Sequence, residues 1–326
     1  MTISPEQALE AINATLVVGA PATDVMQRRP ALKWFASDEF TSMKLKPRDF
    51  ILEPIIRTGS LAMLSAFRGV GKTQVAIGIA HAAATGGSFL NWRAPVPRDV
   101  LYVDGEMPGA DLQERLRMFS QVSSGRLRIL PMDEQEIGVS LNLSQAESQE
   151  RLEAILGPTE LLILDNRSTL TSGGRENEAE SWDTMQSWQL RLRRRGISVL
   201  LIEHEGRGGN PRGTSKREDV LDTLITLKHP DDYKIEDGAR FEVHLGKARG
   251  VFGEAARPFE AKLEVHSGEA LWTMKDLQDV EADLVMTMTR DGESVRDIAA
   301  ATGLSRSKVN RIQARLKAIQ PSSNKP

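Results

Sequence analysis

The stretch Ala66-Phe67-Arg68-Gly69-Val70-Gly71-Lys72-Thr73 follows an apolar run, Leu61–Ser65, and precedes an alanine-rich helical pattern from Gln74 to Thr85 that stops at Gly86 and Gly87. Strand, glycine-rich loop and helix in that order form a phosphate cradle. Gly69 and Gly71 let backbone N–H groups approach phosphate oxygens, and the helix start adds the positive end of its dipole. Gly69, Val70, Gly71, Lys72, Thr73 and Gln74 are therefore expected to bind ATP, with Lys72 on the terminal phosphates and the Thr73 hydroxyl on Mg2+. The first position is Ala66 instead of glycine, so the weight of the reading falls on Gly69 and Gly71.

Outward from the loop, short β-like runs alternate with longer helical patterns: Leu61–Ser65, Val100–Asp104, Arg128–Leu130, Leu161–Asp165, Val199–His204 and Thr223–Leu227. The runs are unbroken rather than alternating, as in strands buried on both faces, and imply an α/β core with a mostly parallel sheet. Phe241–Lys247 and Ala261–Val265 alternate instead, which suggests an antiparallel extension at one sheet edge. These limits give an arm at residues 1–49, a core at 50–274, a linker at 275–284 and a small C-terminal unit at 285–326; the acidic segment Asp276 to Asp283 reads as linker plus a first helix that completes a three-helix unit. A helical pattern, Pro5 to Leu16, lies in the arm, whose role the residues do not assign.

Two strand ends carry carboxylates. Asp165 closes Leu161–Asp165, where it would hold Mg2+ through water; capping a helix that starts near Ser168 is its alternative role. Val100–Asp104 runs into Gly105-Glu106-Met107, which places Glu106 to polarise an attacking water as general base, with Asp104 as the rival.

Composition narrows the remaining classes. The chain has 326 residues, with 40% hydrophobic and 27% charged, enough for a large core and a small second unit. Absence of cysteine excludes disulfides, thiolate metal sites and thiol nucleophiles. The five histidines are scattered, against a histidine-built metal site. No apolar run approaches the roughly 20 residues of a membrane span. No secretory signal is visible, so the reading is cytoplasmic. The net charge of −3 conceals local basic segments.

The order of these motifs, with Ile202-Glu203-His204 at a later strand end, resembles the RecA-like P-loop ATPases of hexameric replicative helicases, nearest the plasmid RepA type and related AAA-family ATPases of plasmids and phages. The resemblance spans roughly residues 50–255. It implies Glu106 as catalytic base, Arg115 against the nucleotide base, and His204 as a sensor of the γ-phosphate. Gly246-Lys247-Ala248-Arg249-Gly250 resembles the element that such helicases insert into a neighbour's nucleotide site, which implies Lys247 and Arg249 as cations acting across a homo-oligomer of six. The glycine-rich loop carrying Arg207, Arg212, Lys216 and Arg217 corresponds to the one that meets single-stranded DNA in the central channel; it has no aromatic residue, so backbone tracking is expected.

Ser294 to Ile312 resembles a helix-turn-helix, with Ala299 at a close helix crossing, Gly303 in the turn, Ser305 as cap, and Ile298, Leu304, Val309 and Ile312 on the buried faces. From Ser305 to Lys317 five basic residues occur without an acid, and Arg306, Lys308 and Arg311 are candidates for duplex DNA contacts. Such units also serve protein contacts. The leading expectation is a Mg2+-dependent ATPase that moves on DNA, a plasmid or phage replicative helicase. The alternatives are an ATP-switched DNA-binding regulator and a filament-forming recombination or repair ATPase.

Overall fold

The computed structural model describes residues 32–119, 125–171, 178–205 and 218–319. The expected helix from Pro5 to Leu16 lies outside them. The chain divides into two units, Met1–Pro47 and Arg48–Pro326. In the first, the described residues hold one short helix, α1 (Ser37–Ser42), which buries no side chain; Leu32 and Trp34 are exposed, and the Phe35 and Phe40 rings lie 6.1 Å apart.

In chain order the second unit contains β1 (Phe50–Leu52), β2 (Ile56–Arg57), β3 (Leu61–Ala66), α2 (Lys72–Thr85), β4 (Ser88–Phe89), β5 (Trp92–Arg93), β6 (Val100–Asp104), α3 (Gly109–Phe119), β7 (Leu127–Pro131), α4 (Ala146–Leu156), β8 (Leu161–Asp165), α5 (Arg167–Leu170), α6 (Glu178–Arg194) and β9 (Ser198–His204). There follow β10 (Thr223–Lys228), β11 (Arg240–Ala248), β12 (Phe259–His266), β13 (Glu269–Asp276), α7 (Leu277–Arg290), α8 (Val295–Thr302) and α9 (Arg306–Ile319).

Nine strands form one sheet in the order β13-β12-β11-β10-β3-β9-β8-β6-β7. The six strands from β10 to β7 are parallel, and β11, β12 and β13 extend the sheet antiparallel. Both features agree with the sequence patterns. β3, β6 and β8 are buried at every position because helices cover both faces. One face packs on α2 through Val75 and Ile79, and the other on α4 and α6 through Leu152, Trp188 and Leu192.

Helix α2 can lie close to the sheet because it is built largely from alanine. Gly78 on this helix is a contact point: a Cβ there would sit 2.1 Å from Phe89 Cε2. The helix ends where Gly86 adopts φ 72° and its N–H reaches the Ala82 carbonyl at 3.0 Å, a left-handed stop that glycine takes without strain.

Residues 275–284 are not a linker. They end β13 and begin α7, whose Val285 is buried with Ile298 of α8 and Val309 of α9, and α7 packs on β12 and β13. The helical part of the expectation for this segment is met and the linker part is not: acids near a helix start are favoured by its dipole, and Val280, Leu284, Val285 and Met288 give a helical apolar period. The three C-terminal helices accordingly belong to the same compact unit as the sheet. Ser294 caps α8 by accepting from Asp297 N–H at 3.2 Å, Gly303 makes the turn at φ 69°, and Ser305 accepts from Lys308 N–H at 3.2 Å. Among the described residues no helix is long and apolar enough to cross a membrane.

Candidate nucleotide site

The parallel strands set their carboxyl ends level. Register pairs Asp104 with Asp165 and Ala66 with His204, so the loop after β3, the turn after β6 and the ends of β8 and β9 meet at one edge of the sheet. Open parallel sheets bind ligands at this edge.

Gly69 and Gly71 have φ of 82° and 123°, values that disfavour a side chain. Lys72 folds back along the loop, donating to the carbonyls of Ala66 and Phe67 at 3.2 and 3.1 Å. It is buried, and burial lowers its pKa while Asp165, Glu106 and Glu205 oppose the shift. The ammonium is thus partly dehydrated, and its hydrogen-bond partners among the described residues are carbonyl dipoles, an arrangement that favours an incoming phosphate.

Asp165 does not cap the following helix. Asn166 does, its Oδ1 accepting from Thr169 N–H at 3.2 Å. The Asp165 carboxylate lies between the Thr73 hydroxyl and Tyr102, whose Oη donates to Oδ2 at 2.6 Å. Burial raises the Asp165 pKa; the bonds from Tyr102 and Thr73 counter it. Tyr102 is itself fully buried, which together with Asp165 holds its pKa well above the phenolic range and keeps it a donor.

Thr73 and Asp165 supply two oxygen donors side by side at the start of α2. Mg2+ prefers such a partial shell completed by phosphate and water over an all-protein cage, and among the described residues no group of three or more histidines and carboxylates offers one. The residues present fit Mg2+ held jointly with a nucleotide.

Asp104 is spoken for: it accepts from the N–H groups of Glu106 and Met107 at 3.1 and 2.7 Å, and burial pushes its pKa up to about 6. It shapes the turn and leaves Glu106 as the free carboxylate. The Glu106 side chain is 54% exposed, accepts from Asn166 Nδ2, and lies 3.4 Å from His204 Nε2. Asn166 Nδ2 is also 3.1 Å from that histidine nitrogen. Sequence reading missed Asn166 and Tyr102 as site residues; a tyrosine in an otherwise aliphatic strand was the available signal.

Next to this cluster Arg167 forms a two-pronged pair with Glu203, one contact at 2.9 Å, tying α5 to β9. Arg115 sits half-buried on α3, near enough to Tyr102 for its charge to be felt there. Val70 is buried within the loop and Gln74 lies in the first turn of α2.

Lys247 and Arg249 lie elsewhere. Lys247 is the penultimate residue of β11 and Arg249 directly follows the strand; Ala248 pairs with Thr223, which pairs in turn with Ala62 at the beginning of β3. From Ala62 to Ala66 the strand rises about 13 Å, so both cations occupy the opposite edge of the sheet from the cradle. Lys247 donates to the carbonyls of Glu218 and Asp219 at 2.5 and 3.1 Å, and Arg249 to that of Asp219 at 3.1 Å. Arg207, Arg212, Lys216 and Arg217 lie outside the described residues. On α9, Arg306 and Arg311 are exposed, whereas Lys308 is paired with Glu281 at 2.6 Å and is not a free phosphate contact. A cavity of about 650 Å3 between the antiparallel strands and the C-terminal helices is lined by more acids, among them Asp231, Asp232 and Asp283, than bases, Arg240 and Lys275.

Fold and site together define a P-loop ATPase. Residues 26–210, more than half of the chain, match the AAA domain family, and the chain belongs to that family. No curated protein matches it. Among solved structures it is similar to a KaiC-like protein from Pyrococcus horikoshii OT3, at 13% identity and TM-score 0.48 over 68% of this chain and 93% of that one. It is also similar to the flagellar accessory protein FlaH from Methanocaldococcus jannaschii (13%, TM-score 0.46, 67% and 91%) and to a further solved ATPase domain (13%, TM-score 0.48, 66% and 85%). At these TM-scores the likenesses carry no functional weight.

Proposed function

We propose that the chain is a RecA-like motor that hydrolyses ATP with Mg2+ as a homo-oligomer, a hexamer on the family resemblance, and moves on DNA as a cytoplasmic replicative helicase of plasmid or phage type. The observation that carries the shared-site part of this reading is the position of Lys247 and Arg249 at the sheet edge opposite their own cradle. That position, away from their own cradle, supports a role at a neighbouring subunit's nucleotide, where cations offset charge on the transferred phosphoryl group.

Within one site the loop N–H groups and Lys72 hold the phosphates, and Thr73 with Asp165 hold the metal, which when bound neutralises phosphate charge. Glu106 takes the proton of the attacking water. Asn166 and His204 fix the Glu106 carboxylate, and Arg115 is assigned to the nucleotide base. His204 ends the strand that leads towards Arg207, Arg212, Lys216 and Arg217, the proposed contacts to single-stranded DNA.

ATP turnover with and without single-stranded DNA tests the motor, and mixing tests the shared site. Lys72→Ala and Arg249→Ala proteins, each inactive, are expected to recover part of the turnover when combined. Complete failure to complement removes the shared site, and turnover indifferent to DNA removes the translocase.

The C-terminal helices support a second reading, an ATP-switched regulator that binds duplex DNA. Arg306 and Arg311 stand exposed on α9 after a Gly303 turn, the placement a helix-turn-helix gives its phosphate contacts. Sequence-dependent duplex binding that survives Glu106→Gln favours this reading over the helicase.

A further inference from the structure

We propose that Tyr102 is a positioning residue for the metal site, its hydroxyl fixing the orientation in which Asp165 meets Mg2+. The proposal rests on the ATP and Mg2+ reading of the cradle and adds to it a residue on a different strand. In the sheet Tyr102 pairs with Ile163, so Asp165 is its diagonal neighbour on the same face, directly beneath α2. The other side chains of that face on β6 and β8 are Val100, Leu161 and Ile163, all buried and apolar. Packing there asks only for a ring, which phenylalanine would supply. The hydroxyl is the one polar group that the strand sends into this layer ahead of Asp104, and it ends 2.6 Å from Asp165 Oδ2.

A carboxylate has two equivalent oxygens and turns about its Cβ–Cγ bond unless one of them is held. With Oδ2 held by Tyr102, the carboxylate is kept in one orientation close to the Thr73 side chain. Partners of this kind, bonded to a metal's ligand and not to the metal, typically change metal affinity by about 10–100-fold when removed. Asp165 is almost wholly buried, so water cannot replace the lost donor, and the carboxylate would relax away from the metal.

Tyr102→Phe removes the hydroxyl and keeps the ring. Retention of a fluorescent, non-hydrolysable ATP analogue is measured against Mg2+ concentration, and Mn2+ binding is followed by electron paramagnetic resonance, for the wild-type chain and the variant. The expected result is a metal midpoint about 10–100-fold higher in the variant, unchanged analogue retention in EDTA, and turnover that returns at saturating Mg2+. An unchanged midpoint overturns the proposal. So does a loss of analogue that is equal with and without metal, or a lowered melting temperature that accounts for the loss, since either assigns the hydroxyl to the fold alone. Failure of the wild-type chain to retain the analogue at any Mg2+ concentration is a different result: it removes the nucleotide reading itself, and the proposal with it.

Discussion

Asn166 has two jobs that a single substitution can separate. Its Oδ1 caps α5, and its Nδ2 donates to Glu106 beside His204. Aspartate caps a helix as well as asparagine, so Asn166→Asp keeps the first job and reverses the second: a carboxylate oxygen then faces the Glu106 carboxylate. Two unit charges about 4 Å apart repel by roughly 4 kcal/mol at an effective dielectric constant of 20. More than half of the Glu106 side chain is exposed, so solvent screening brings this down to about 1 kcal/mol, and Glu106 relieves the rest by turning into solvent. Stability should therefore change by no more than about 1 kcal/mol, or roughly 2–4 °C in melting temperature. Turnover should drop much further, because displacing a reacting group by about 1 Å can cost 100-fold. Asn166→Ala, by contrast, loses the cap at about 0.5–2 kcal/mol and frees Glu106 without repelling it. Stopped-flow kcat, analogue binding and thermal melting on the three proteins give the comparison. A fall of kcat by about 10–100-fold in Asn166→Asp, with analogue affinity intact, is expected. Equal kcat in Asn166→Asp and wild type would refute the claim that this amide positions the base.

Two further outcomes follow from packing and burial. Asp104 has a folded pKa of about 6 against 3.8 unfolded. A raised pKa means that its contribution to stability is fully present below pH 3.8 and is lost as pH rises through about 6, a loss of about 3 kcal/mol. Asp104→Asn retains an oxygen acceptor for both N–H groups and removes the charge. Its urea midpoint should thus match wild type near pH 4 and exceed it at pH 8; parallel curves would contradict the assignment. Gly78→Ala should destabilise the core by up to about 2 kcal/mol, as about 1–3 kcal/mol of overpacking is offset by about 1 kcal/mol of helix propensity. The Phe89 ring that the new methyl meets is hemmed in by Trp92, Phe119 and Trp272, with ring centres 5.5–6.3 Å away, and cannot step aside. A denaturation midpoint at or above wild type would show that it does.

The parallel strands were legible because unbroken aliphatic runs such as Leu161–Leu164 and Val199–Ile202 have few other places to go than a sheet covered on both faces. The outermost strand, β13, was not legible. It leaves Glu269, Leu271, Thr273 and Lys275 exposed on one face, which therefore mixes apolar and charged residues, and its identity comes from pairing with β12. Within residues 275–284 the helix was legible but the absence of a linker was not, because Glu281 is engaged by Lys308 of α9. A linker and an amphipathic helix with an acidic outer face look alike until their partner is known.

Sequence by itself determined what a residue does within its own segment: the turn at Gly69 and Gly71, the stop at Gly86, a carboxylate at the end of a buried strand. Only the tertiary structure decided which of those groups cooperate. Tyr102 and Asp165 are 63 positions apart, and Asn166 and Glu106 are 60 apart. They meet because parallel pairing sets β6 and β8 level, and that register is enforced by the whole buried face and not by the residues that use it. For the same reason the placement of Lys247 and Arg249 at the far edge follows from the antiparallel return of β11, which no local pattern around them discloses.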